Sequence, residues 1–203
     1  MDIKKIKELA KNYSNKNDMV HRWDHVLRVY KLCMKIGEKE GADLEVLKIA
    51  ALLHDIGVWK DRKNHEKIGA EMAKEILKDY DKEKKENVIH CIEVHRFSKG
   101  LEPKTIEAKI LQDADRLDVL GAIGIARVFA YSGVLNRPIH IPDEKISNVY
   151  TGESKTSIGH FYEKILKIKD TLNTETAREI AEHRHEFIEF FLNEFFDEWS
   201  CKK

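Results

Sequence analysis

The stretch Leu52-Leu53-His54-Asp55-Ile56-Gly57, LLHDIG, sets an imidazole beside a carboxylate at the end of the apolar run IAALL. That run is apolar enough to be buried, and an ionised aspartate inside a core is costly unless a cation or hydrogen bonds compensate it. Two readings fit the pair. Either it binds a metal, or His54 is a core imidazole and Asp55 caps the following turn. The dipeptide alone does not choose, because ten His and fourteen Asp in this chain give roughly 0.7 such pairs by chance.

Outward from this point the pattern is helical. Apolar residues recur at three and four positions, and prolines occur only at 103, 138 and 142. The periodicity predicts helices from about His21 to Glu40, stopped by Gly41; from Leu44 to Gly57; from an Asn64 cap to near Tyr80; and from Lys82 to Val94. The segment PKTIEAKILQDADRLDVLGAIGIARVFAYSG reads as one long helix or two consecutive ones. NRPIHIPDEKISNVYTGES, residues 136–154, carries two prolines and no periodicity, and is expected to be a lid-like loop. Two further helices close the chain. With no strand pattern and no internal repeat, the expectation is an all-α, compact helical bundle forming a single domain over residues 1–203.

Composition narrows the function classes. Thirty-six basic residues balance thirty-six acidic ones, so no global field favours nucleic acid or an acidic membrane, and neither is expected as a partner. An anionic ligand must then be held by a local cluster. Cys33, Cys91 and Cys201 are odd in number, far apart and without C-x-x-C spacing, which argues for a reducing compartment and against a disulfide framework or zinc knuckle. The charged N-terminus MDIKKIKELAKNY lacks the apolar stretch of a signal peptide or membrane span, so a cytoplasmic protein is expected.

Six of the ten histidines, 21, 25, 54, 65, 90 and 95, lie in the first half. Histidine is the commonest transition-metal ligand, and a carboxylate adds charge that raises affinity for a divalent cation. In HRWDHVLRV, His21, His25 and Arg28 fall at helical spacing on one face; His25 could join His54 and Asp55 at a metal, and Arg28 could meet a bound anion. The alternative for His21 and Arg28 is an exposed polar face. In ILQDADRLDVLGAIGIAR, Asp113, Asp115 and Asp118 sit among apolar residues that turn at least one carboxylate inward, with Asp115 and Asp118 on a shared face.

His25 in HVLRV, His54 and Asp55 in HDIG, and Asp115 in DADRLD reproduce in order the H…HD…D signature, and the chain thereby resembles the HD-domain metal-dependent phosphohydrolases. LLHDIG, QDADRLDVLGAIGIAR and the C-terminal GHFYEKILKIKDTLNTETAREIAEHRHEFIEFFL look like the YedJ/YpgQ branch, some members of which hydrolyse nucleoside triphosphates. The resemblance implies His25, His54, Asp55 and Asp115 as ligands of one divalent ion (Mn, Mg, Ni, Co, Fe or Zn), with open positions for water and a phosphate oxygen. It implies a metal-dependent hydrolase of phosphate esters or anhydrides, in which metal-activated water attacks phosphorus, acting on a small phosphorylated substrate such as a nucleotide. The reaction would be that of a phosphomonoesterase or a nucleoside triphosphate pyrophosphohydrolase.

His65 and His95 lie where binuclear members of the superfamily place extra histidines. They are either ligands of a second metal or a phosphate contact and general acid; with no bridging glutamate in view, the catalytic role is the one expected. Asp118 is expected to orient the attacking water, with a pairing to Arg116 or Arg127 as its alternative. Val58 and Trp59 stand where some members carry an assisting carboxylate. Lys60, Arg62 and Lys164 join Arg28 as expected substrate contacts, and Tyr150 and His160 are further candidates near the loop. Two other functions stay open: a di-iron oxygenase of the same fold, and a non-catalytic sensor of a nucleotide or phosphorylated ligand.

Overall fold

The structure is a computed structural model that describes residues 2–16, 20–96, 99–147, 149, 151 and 154–202. Its regular secondary structure among these residues is all helical, and the chain divides into two compact units, Met1–Asp115 and Arg116–Lys203. No single helix among the described residues is long and apolar enough to cross a membrane.

The first unit is built around α3, Leu44–Leu53. Its sequence LEVLKIAALL is apolar on nearly every face, and a helix apolar all round must be surrounded. Val46, Leu47, Ile49, Ala50, Ala51, Leu52 and Leu53 are all buried. The surrounding elements are α1 (Ile3–Ser14), α2 (Trp23–Glu40) and α5 (Lys82–Val94), with α4 (His65–Ile76) packed on α5. Gly37 of α2 lets α3 approach closely, since a Cβ there would stand 2.4 Å from Leu47 Cδ1. Asp43 caps α3 by accepting from the Glu45 and Val46 amides, and Gly41 ends α2 in the left-handed conformation at φ 70°.

Several boundaries differ from the expectations. The charged N-terminal segment forms α1, capped by Asp2, with Ile6, Ala10 and Ser14 buried. Helix α2 begins at Trp23, so His21 precedes it and does not share its face. Helix α3 stops at Leu53 and hands over to tight turns running through Lys60, so His54 and Asp55 follow the helix instead of lying within it. Asn64 stands at the N-cap of α4, but its side chain accepts from no helix amide; its Nδ2 donates to Asp61 Oδ2 at 2.8 Å. The long segment is two helices, α6 (Ile106–Leu117) and α7 (Gly121–Val134).

In the second unit α7 packs against α8 (Ser157–Glu163) and α9 (Glu175–Trp199). Two short 3-10 turns, Ile165–Lys167 and Lys169–Thr171, join α8 to α9. Gly121, at φ 70°, opens α7 with Arg184 of α9 against it. Phe129, Phe161, Phe191 and Phe195 form a connected aromatic cluster. The described part of the loop before α8 is pinned rather than free: Ser157 and Ile158 amides donate to the Pro138 and Ile139 carbonyls, and His140 packs edge-on against Phe195, Phe196 and Trp199. Tyr150 lies outside the described residues.

Candidate metal centre

The candidate ligands of the first unit converge because five of them sit at the ends of five helices, with Asp55 in the turn after α3. His25 is in the first turn of α2, His54 caps the C-terminus of α3, His65 opens α4, His95 caps the C-terminus of α5, and Asp115 lies in the last turn of α6. All four histidines and Asp55 are buried. Asp115 keeps 26% of its side chain exposed, whereas Asp113 and Asp118 are almost wholly covered.

Two groups share the Asp55 carboxylate. Oδ2 lies 3.4 Å from both His25 Nε2 and His54 Nε2, which are 3.2 Å apart, and His25 Nε2 is 3.4 Å from Asp115 Oδ1. On the other side, Oδ1 lies 3.5 Å from His65 Nε2 and 3.7 Å from His95 Nε2, themselves 3.2 Å apart. Ligand bonds of about 2.0–2.2 Å put neighbouring ligand atoms about 3–3.6 Å apart, so these separations suit cations held within each group. The sets His25, His54, Asp55 and Asp55, His65, His95 each bring one donor atom per residue close enough for a single ion.

The tautomers agree with this use. Nδ1 of His54, His65 and His95 is hydrogen-bonded to the carbonyls of Ala51, Arg62 and Ile92 at 2.8, 2.8 and 2.6 Å. A carbonyl only accepts, so Nδ1 carries the proton and Nε2 is the atom turned toward Asp55. Burial opposes ionisation of Asp55, but His54, His25 and His95 outweigh it and hold the carboxyl well below the usual range. Burial likewise works against charge on His54, yet Asp55 and Asp115 push its pKa up to about 9. His65 goes the other way, to about 4, because burial, His95 and Arg96 exceed the pull of Asp55. Asp115 is lowered: burial is opposed and overcome by His25, His54 and His95. The carboxylates thus draw positive charge into a buried space, the environment a divalent cation meets best.

Gly57 explains the rest of LLHDIG. A Cβ there would stand 2.5 Å from the His65 carbonyl oxygen and 2.8 Å from the Gly69 amide, so the bare backbone lets the turn carrying Asp55 lie against the start of α4. Gly69 in turn faces the His54 carbonyl, where a Cβ would sit at 3.3 Å.

The other expected site residues have the following places. Arg28 is ion-paired to Asp24 at 2.7 Å. Lys60 is exposed, with Nζ 5.5 Å from the Trp59 ring centre, and Trp59 stacks on Tyr13. Arg62 is exposed and lends its carbonyl to His65. In the second unit, Lys164 follows α8 and is half-buried. Asp118 falls just beyond the end of α6 and is ion-paired to Arg127, the second of its expected alternatives. His160 donates to or accepts from Ser154 through Nδ1 at 3.0 Å. His21, for which an exposed polar face was the alternative, is half-buried, its ring 5.9 Å from that of His25 and 6.4 Å from that of His65. Sequence spacing placed it on α2, and only the turn ahead of the helix brings it to the mouth of both groups. Glu66, unremarked in the sequence, is 1% exposed.

Residues 22–120 match the HD domain family, and the chain is similar to YpgQ of Bacillus subtilis, with 38% identity over 179 residues covering 86% of this chain and 82% of that protein. The chain belongs to the HD domain family. Among solved structures, YpgQ in complex with ADP superposes with a TM-score of 0.74 at 34% identity, covering 97% of this chain and 94% of that one. An HD-superfamily hydrolase from Bacillus thuringiensis gives 0.76 at 36%, covering 98% and 96%. A Lactobacillus plantarum protein gives 0.82 at 30%, covering 98% and 97%.

Proposed function

We propose that this protein is a divalent-metal-dependent phosphohydrolase acting on nucleotides, either a nucleoside triphosphate pyrophosphohydrolase or a phosphomonoesterase. The observation that carries the reading is the sharing of Asp55 between two ligand groups. His25, His54, Asp55 and Asp115 would hold one cation, and His65 and His95 with the other oxygen of Asp55 would hold a second. Manganese is the first metal to try. Such cations lower the pKa of bound water and offset charge developing on a phosphoryl oxygen. Asp55 would supply negative charge to both ions, the Nδ1 anchors aim the imidazoles, and burial of the ligands keeps bulk water from competing.

The ligand geometry favours His65 and His95 as metal ligands over a proton-transfer role, since their Nε2 atoms face Asp55 Oδ1 and each other. Arg28, Lys60 and Arg62 are proposed as phosphate contacts. The nucleotide assignment is supported by the ADP complex of YpgQ, and the cytoplasmic assignment by the free, buried thiols of Cys33 and Cys91.

Protein purified without added metal should yield about two divalent ions per chain. A panel of nucleoside mono-, di- and triphosphates with Mn, Mg, Co or Ni should release phosphate or pyrophosphate from at least one; release from none would overturn the hydrolase. The paired groups also favour a second reading, a di-iron oxygenase. Two irons per chain and oxygen consumption, without phosphate release, would select it.

A further inference from the structure

Each imidazole of the His65–His95 pair is anchored locally, His65 to Arg62 and His95 to Ile92, both three residues back in their own segments. Those anchors fix a ring to its helix end but do not set one helix end against the other. Immediately beside the two histidines stands a group that does. Arg96, next to His95, reaches both sides of His65: its Nη1 donates to the Lys63 carbonyl and lies 3.3 Å from Glu66 Oε2. Lys99 Nζ closes the other side of the same carboxylate, 3.4 Å from Glu66 Oε1.

Glu66 is 1% exposed, while Arg96 and Lys99 keep 25% and 36% of their side chains in solvent. Burying a carboxylate in such a pair gains little net stability, because the desolvation cost offsets the attraction. Its effect is geometric. A bridging ion pair between the residues next to two ligands holds their spacing, and metal affinity falls steeply when ligands drift by about 0.5 Å.

We propose that Glu66, clamped between Arg96 and Lys99, is a positioning residue that fixes the spacing of His65 and His95 and so sets the affinity of the second cation. The inference rests on the two-cation reading above. It assigns no contact with substrate to any of the three.

The test is calorimetric titration of the metal-free full-length chain with Mn²⁺ alone, for wild type, Glu66→Gln, Arg96→Gln and Arg96→Lys. The wild type should bind two ions. Glu66→Gln and Arg96→Gln should weaken the second by roughly 10-fold or more, the scale of outer-shell substitutions, and leave the first unchanged. Arg96→Lys, which keeps an ion pair with Glu66, should lose less. Should Glu66→Gln fail to fold, Arg96→Gln, altered on the solvent side, carries the test. Equal weakening of both ions, or of neither, overturns the clamp while the two-cation reading stands. A wild type that binds a single ion overturns the two-cation reading, and the clamp with it.

Discussion

Asp55 concentrates the chemistry in a few ångströms. Its carboxylate is buried, held in the ionised form by three imidazoles, and presents one oxygen to each ligand group. Asp55→Ala should therefore remove bound metal and turnover together, with little loss of helix in circular dichroism, because Asp55 stands in the turns that follow α3 and not within a helix. Retained activity in that variant would place the site elsewhere. Gly57 is the second residue at which one atom decides. Gly57→Ala forces a methyl to 2.5 Å from the His65 carbonyl, and either the turn or the start of α4 must move. A loss of about 2 kcal/mol or more is expected, of the order of other overpacked sites. Denaturant unfolding measures it, and elemental analysis should show metal content falling with it.

The elements show why the ligands meet. Helix α3 is surrounded on all sides, so whatever follows its last turn emerges inside the unit, and the residues there are His54 and Asp55. The ends of α4 and α5 add His65 and His95 from the other side. In the second unit α8 carries a different histidine in a different balance. Burial, with Lys164 and Arg137 nearby, lowers the pKa of His160 to about 3. The native state therefore leaves His160 neutral, while the unfolded chain takes up a proton as pH falls below about 6.5. The unfolded state binds more protons in that window, so stability should fall with pH from about 6.5 to about 3 and level off below. Thermal unfolding across this range should show a slope that is shallower in His160→Asn; identical slopes would remove His160 as its source.

At the scale of the whole molecule, a cation bound only by the native state stabilises it by mass action, by about 2.7 kcal/mol at a hundredfold excess over its dissociation constant. Chelation should lower Tm, and restored Mn²⁺ should bring it back; an unchanged Tm would mean that the groups around Asp55 hold no ion. How much of this was legible in sequence depends on range. The helical class follows from the spacing of apolar residues, α5 has the expected limits, and the apolar run of α3 announces a surrounded helix. The family signature is local order along the chain, which is why His25, His54, Asp55 and Asp115 could be singled out together. Helix α1 carries Ile6 and Ala10 on one buried face, as legible a stripe as those of the other helices, whereas His21 lies two residues ahead of the start of α2 and Asp118 one residue beyond the end of α6, limits that periodicity does not fix to the residue. By itself the sequence determined the helices and the identity of the donors, since both are written in residue types at short spacing. Only the tertiary structure decided that His65 and His95, thirty residues apart, meet at 3.2 Å beside Asp55 Oδ1 and that Glu66 is clamped next to them, because such distances depend on how separate helices pack.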